Sequence, residues 1–155
     1  MVDVCETSNP YEAGISFHVG NVVRILLHTS RATFKIGSIE AQTRPAIKLR
    51  QVHFLYDERG SPIAYATWAF LEPSTGSELV EDGSRFLHFS EWNEGTELWI
   101  MDFVAPFGHA LKLAQHLRRG PLKGYGIVNW SRERRCGQRS HIRRQVQDTL
   151  SPRCR

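Results

Sequence analysis

The run Glu97-Leu-Trp-Ile-Met-Asp-Phe-Val-Ala-Pro-Phe-Gly-His109 constrains the fold more than any other stretch of this chain. Leu98 to Val104 is apolar apart from one acid, which is the composition of a buried strand. Ala105-Pro-Phe-Gly108 breaks that strand and hands the chain to a helix of about Gly108 to Arg119. In that helix Leu113 and Leu117 stack at i, i+4, Leu111 and Ala114 flank them, and Gly120-Pro121 stops it. Gly124 to Trp130 reads as a further strand, so strand, helix and strand form one crossover unit. The acid is Asp102. A carboxylate costs several kcal/mol to bury unless it is paired or hydrogen-bonded. Either a structural donor satisfies it, or it does chemistry at the end of a strand.

Upstream, Val19, Val22, Val23 and Leu26 recur at the spacing of an amphipathic helix. A second short helix is expected over about Phe34 to Thr43, ended by Pro45. Ile47 to Tyr56 alternates and then changes phase, which predicts a strand with a bulge near Arg50-Gln51. Asp57 to Ser61 is a turn, and Pro62 to Phe70 is the return strand of an antiparallel hairpin. Glu78 to Glu81 predicts a short helix. Arg85 to Gly95 reads as a loop anchored by Phe86, Phe89 and Trp92. Three units are expected: a flexible N-terminus over 1–14, a main domain over 15–130 and a basic C-terminal segment over 131–155.

A chain of 155 residues with 41% hydrophobic and 23% charged residues is an ordinary globular protein with a real core. No apolar run approaches the roughly 20 residues of a membrane span. The N-terminus carries acids where a secretory signal carries Lys or Arg, so a cytoplasmic location is expected. Cys5, Cys136 and Cys154 have neither disulfide-framework nor zinc spacing. No Glu, His and Cys set has metal spacing, and no metal is implied. Charge is uneven: residues 1–117 carry a net −5 and residues 118–155 a net +9. Such a basic, Arg-rich end suits an acidic partner. Nucleic acid is a weak fit, because only Trp130 interleaves with the arginines and no nucleic-acid motif is present.

Trp99-Ile-Met-Asp-Phe-Val-Ala-Pro-Phe-Gly108 closely resembles the central motif of the toxin-activating lysine acyltransferases, the bacterial enzymes that fatty-acylate pore-forming RTX toxins. Pro62-Ile-Ala-Tyr-Ala-Thr-Trp-Ala-Phe-Leu71 is similar to that family's Pro-Val-Ala-Tyr-Cys-Ser-Trp-Ala. Trp92-Asn-Glu-Gly-Thr-Glu-Leu-Trp99 is similar to its Trp-x-x-Gly-Asp-x-x-Trp, and Pro45-Ala-Ile47 adds a fourth block. Four ordered blocks over roughly residues 20–119 are far more specific than a lone short motif. The resemblance implies a single α/β domain of acetyltransferase-like (GNAT-like) fold, with a mixed, mostly antiparallel sheet flanked by helices. It implies acyl-acyl carrier protein, a phosphopantetheine thioester, as co-substrate with no separately bound cofactor. It also implies an RTX-type protoxin as acceptor, and a homodimer.

Moving an acyl group from a thioester to a lysine needs a base, something to orient it, a stabilised oxyanion and a held donor arm. The family is understood to use a His near the N-terminus and the Asp of the strand motif. Asp102 matches that Asp residue for residue. The family's Ser-x-x-His-Arg corresponds to Leu27-His-Thr-Ser-Arg-Ala32, and counting back from Pro45 puts Arg31 at or near the family His. Two readings stand together: His28 serves as base across a small gap, or the base is lost, since an arginine stays protonated. Ser30 is a candidate to orient His28 or the substrate. Phe107, Gly108 and His109 form the start of the following helix, whose free amides and dipole suit a phosphate or an oxyanion. His109 is a lesser candidate base, while His53, His88, His116 and His141 read as ordinary partly buried or solvated residues. The arginines at 132, 134, 135, 139, 143 and 144 would dock the acidic carrier protein. The alternative is a catalytically inactive relative, binding protein or nucleic acid through its basic end.

Overall fold

The computed structural model of the chain describes residues 10–83, 85–133 and 139–145. Helix α1 spans Pro10–Leu26 and α2 spans Ile36–Lys48, with a 3₁₀ turn at Ser30–Thr33 between them. Strands β1 (Val52–Tyr56) and β2 (Pro62–Leu71) form the predicted hairpin. Helix α3 (Pro73–Glu81) and a 3₁₀ turn at Phe89–Trp92 lead to β3 (Glu97–Val104), and α4 (Ala110–Arg119) leads to β4 (Ile127–Glu133) and β5 (Arg139–Gln145). The five strands lie in the order β1-β2-β3-β4-β5. All neighbours run antiparallel except β3 and β4, which the α4 crossover makes parallel. This mixed, mostly antiparallel sheet in a single α/β domain is the architecture that the acetyltransferase-like resemblance implies.

Helix α4 packs on one face of the sheet. Leu113 and Leu117 are buried against Leu55, Ala64, Ala66, Trp68 and Leu98. On the other face α1 and α2 bury Val22, Ile25, Leu26 and Ile39 against Tyr65 and Val104. Further along that face Ala46 and Leu79 pack with Ala69, Leu71, Trp92 and Trp99. The alanines of β2 are fully buried, so helices approach on both sides of this central strand.

Several local expectations give way to tertiary packing. Helix α1 begins at Pro10, so residues 10–14, expected to be loose, are its first turns; residues 1–9 lie outside the described residues, as do Cys5, Cys136 and Cys154. Pro45 does not end α2 but sits inside it. Burial of Ala46 and Ile47 (0% and 6% exposed) offsets the backbone hydrogen bond the proline removes. The change of phase near Arg50 is therefore not a bulge within a strand. Ile47 and Leu49 end a helix, Arg50 turns the chain at φ 58°, and β1 starts at Val52. Helix α3 starts at Pro73, in the first helical turn where its missing N–H is harmless. Trp92 is 2% exposed and is the anchor of its loop, whereas Phe86 and Phe89 are exposed. The segment after Trp130 is not a bare tail: β4 continues through Ser131 and β5 pairs along its length, with Trp130 opposite Ile142.

The bulge that matters lies in β3. Thr67 pairs with Asp102, but the next residue, Trp68, pairs with Ile100. Met101 is the extra residue. Trp68 and Ile100 face α4, while Tyr65 and Val104 face α1. The additional residue thereby reverses the alternation and turns Asp102 to the α1 side, the face that Thr67 and Tyr65 share.

Candidate active site

Asp102 meets three donors on that face. Arg31 Nη2 donates to Oδ1 at 2.8 Å and to Oδ2 at 3.0 Å, the Tyr65 hydroxyl donates to Oδ2 at 2.5 Å, and the Phe103 amide donates to Oδ1 at 3.1 Å. The pair is partly open: the Arg31 and Asp102 side chains are 24% and 22% exposed. Local sequence sets Arg31 in place. The Thr29 hydroxyl accepts from the Arg31 amide at 3.1 Å and donates to the last carbonyl of α1, Leu26 O, at 2.7 Å, which starts the 3₁₀ turn directly after the helix. The Phe34 ring lies 5.9 Å from the guanidinium carbon.

Electrostatics locks Arg31 and Tyr65 each in one protonation state. Burial works against the Arg31 charge, but attraction and hydrogen bonding from Asp102 and Tyr65 outweigh it and hold the guanidinium above its ordinary value. Burial pushes the Tyr65 phenol far up, and the neighbouring carboxylate pushes it further. Tyr65 is thus a permanent donor and Arg31 a permanent cation, and neither can act as a base near neutral pH.

The structure brings Asp102 together with Arg31 rather than with an imidazole. His28 is exposed on the loop after α1, with its ring edge-on to Phe107 at 4.8 Å between centroids. It therefore sits against the turn that follows β3, at the same end of the strand as Asp102. Phe107, Gly108 and His109 form that turn. Gly108 has φ 83°, a conformation that favours glycine, and α4 begins at Ala110 instead of Gly108. His109 occupies the N-cap without a capping side-chain bond. His53 and His116 lie on the far side of the sheet with rings 6.0 Å apart, and His141 stacks on Trp99 at 4.7 Å. Among the described residues no group of three His, Cys, Asp or Glu side chains is placed to hold a metal ion.

Asp102 also borders an open groove. Strands β3 and β4 are paired only at Trp99–Asn129 and Ile100–Trp130. Beyond these the strands separate and leave a groove of about 1380 Å³. Its walls are β3 from Ile100 to Phe103, the Leu111, Ala114 and Arg118 side of α4, and Val128, Trp130 and Arg144. Leu111 is 72% exposed, an apolar residue kept on the surface along this wall. Of the basic segment, Arg144 is thus placed on the groove; the side chains of Arg132, Arg134, Arg135 and Arg139 lie outside the described residues.

An open groove at a parting of strands, bordered by Asp102 and by the first turns of α4, is suited to acyl transfer. Comparison with known proteins settles the family. The model of the RTX toxin acyltransferase family matches residues 15–148. The chain belongs to the RTX toxin acyltransferase family. It is 33% identical over 143 residues to the lysine-acyltransferase RtxC of Vibrio cholerae serotype O1, covering 92% of this chain and 86% of that protein. It is 40% identical over 75 residues to the RTX-II toxin-activating lysine-acyltransferase ApxIIC of Actinobacillus pleuropneumoniae, about half of each chain (48% and 46%). It is 36% identical over 75 residues to the protein-lysine myristoyltransferase RtxC of Kingella kingae, covering 48% of this chain and 44% of that one. As a member of the RTX toxin acyltransferase family this protein is an acyltransferase. Sequence reasoning singled out Asp102 and the Arg31 position but missed Tyr65. The available signal was a tyrosine in the middle of a largely apolar strand, whose hydroxyl must find a partner.

Proposed function

We propose that this acyltransferase moves a fatty acyl group from acyl carrier protein to the side-chain amine of an internal lysine in an RTX-type protoxin, in the cytoplasm. One observation carries the reading: Asp102, held by Arg31 on the α1 face of the sheet, also borders the groove that opens on the α4 face where β3 and β4 part, so an acyl thioester threaded through that parting would bring its carbonyl to the Arg31–Asp102 pair. The apolar wall of α4 suits an acyl chain, and the Phe107–Gly108–His109 turn offers the first amides of α4 to the phosphate of a phosphopantetheine arm. Arg144 and its basic neighbours would attract the acidic carrier protein. A homodimer remains part of the reading.

The lysine must lose a proton to attack. His28 is the base in this reading, an imidazole exposed on the loop after α1 and set against the turn that follows β3. The test is incubation with acyl-acyl carrier protein and a protoxin fragment, read by intact mass. A gain of one fatty-acyl group on the fragment is expected, and His28→Ala should abolish it. Full activity in that variant would assign the base elsewhere, and no gain with the wild-type protein would leave only the family's fold.

A further inference from the structure

The geometry points to Arg31 as the catalytic residue that stabilises the oxyanion in this chain, with Asp102 and Tyr65 as positioning residues that hold it. This rests on the acyl-transfer reading above and adds a role for its central cation.

The argument starts from unspent donors. A guanidinium carries five N–H groups in a fixed fork. The hydrogen bonds of Arg31 to described side chains all leave from Nη2. Among the described residues Nη1 and Nε have no hydrogen-bond partner, at a side chain that is one quarter exposed. Beside it, the Thr67 hydroxyl is buried without a partner, directly opposite Asp102 in the β2–β3 register. A partly exposed cluster that spends a carboxylate, a phenol and an aromatic face on holding one cation, yet leaves N–H donors of that cation over, is built to receive an oxygen atom with negative charge.

The chemistry requires such a group. As lysine Nζ bonds to the thioester carbonyl carbon, the C=O π pair moves onto oxygen. A fixed cation and its N–H donors hold that oxyanion better than mobile water does. When the pair returns, the C–S bond breaks. The thiolate leaves with the donor and takes the proton that the former ammonium releases through His28. Asp102 serves by fixing the guanidinium, and the buried Tyr65 hydroxyl fixes Asp102 in turn.

The first experiment needs no turnover. Binding of a long-chain alkylphosphonate, a charged tetrahedral oxygen centre, is compared by calorimetry with binding of the alcohol of equal chain length. The wild-type protein should prefer the phosphonate by about tenfold or more, and Arg31→Ala should erase the preference while still binding the alcohol. In turnover, Arg31→Lys should lower kcat by roughly 10²-fold, the usual loss for one oxyanion donor. KM and both limbs of the pH profile should stay unmoved. Unchanged phosphonate preference in Arg31→Ala overturns the assignment. So does an Arg31→His variant that transfers faster than wild type and gains a new acid limb near the ordinary histidine value, because position 31 would then be a vacated base. Absence of acyl transfer by the wild type would sink the functional reading, whereas the phosphonate comparison would still decide the role of Arg31.

Discussion

Replacing Tyr65 with phenylalanine removes one hydroxyl from the centre of the Arg31–Asp102 cluster and leaves the ring in its pocket. Tyr65 is fully buried, and its hydroxyl donates to Asp102 Oδ2 at 2.5 Å. A hydrogen bond to a charged group contributes about 1.5–3 kcal/mol. The variant orphans nothing: Asp102 keeps both bonds from Arg31 and the Phe103 amide. The loss should therefore fall near the lower end, about 1.5 kcal/mol, or roughly 3–6 °C in Tm for a domain of this size. A second signature separates this hydrogen bond from simple packing. The folded state holds the phenol proton far above its unfolded value of about 10. Below pH 10 the contribution is complete. Above it the unfolded chain releases a proton that the fold retains, so stability falls with rising pH by up to about 1.4 kcal/mol per pH unit. Calorimetric scans from pH 7 to pH 11 should show wild type losing stability more steeply than Tyr65→Phe above pH 10. Equal Tm values at pH 7 with parallel curves above pH 10 would refute the account of Tyr65.

Other perturbations test the surrounding scaffold. Gly95→Ala places a Cβ on the Leu71 carbonyl, where only backbone could yield; a cost of about 1–3 kcal/mol by chemical denaturation is expected. Leu113→Ala empties a fully buried position under the sheet, and should cost about 2–5 kcal/mol at unchanged m-value. Burial, and secondarily the neighbouring His116, holds His53 below its ordinary value. Its contribution is complete above about pH 6.5 and is lost as pH falls, so His53→Gln should flatten the acid limb of the stability curve measured between pH 5 and 8.

The elements around the site were legible where local pattern and tertiary packing agree. The β2–β3 pair, the α4 stripe of Leu113 and Leu117, and the crossover into β4 all follow from periodicity. Asp102 stood out because a charge in an apolar run is costly. Its partners did not, because they depend on strand register and on the extra residue at Met101. Simple alternation would have placed Asp102 beneath α4, away from Arg31 and Tyr65. Arg31 was visible only as a residue unable to act as a base, since nothing within Leu27–Ala32 shows that the turn after α1 ends against β3. Pro45 misled for the opposite reason: a sound local rule was overruled by two buried neighbours.

The narrow seam between β3 and β4 also decides how the molecule yields. The β4–β5 hairpin is paired to β3 through two residue pairs only, reinforced by the Asn129 side chain on the Leu98 carbonyl at 3.2 Å, the stacking of His141 on Trp99 and the packing of Val128 on the α4-side core. Prising it away breaks few backbone pairs, lifting Val128 from the α4-side core while the packing of α1 and α2 on β2 stays in place. Amides along this neck should exchange with solvent ahead of those in β2, and a bulky lipid tail could wedge itself in by spreading the neck without melting the core.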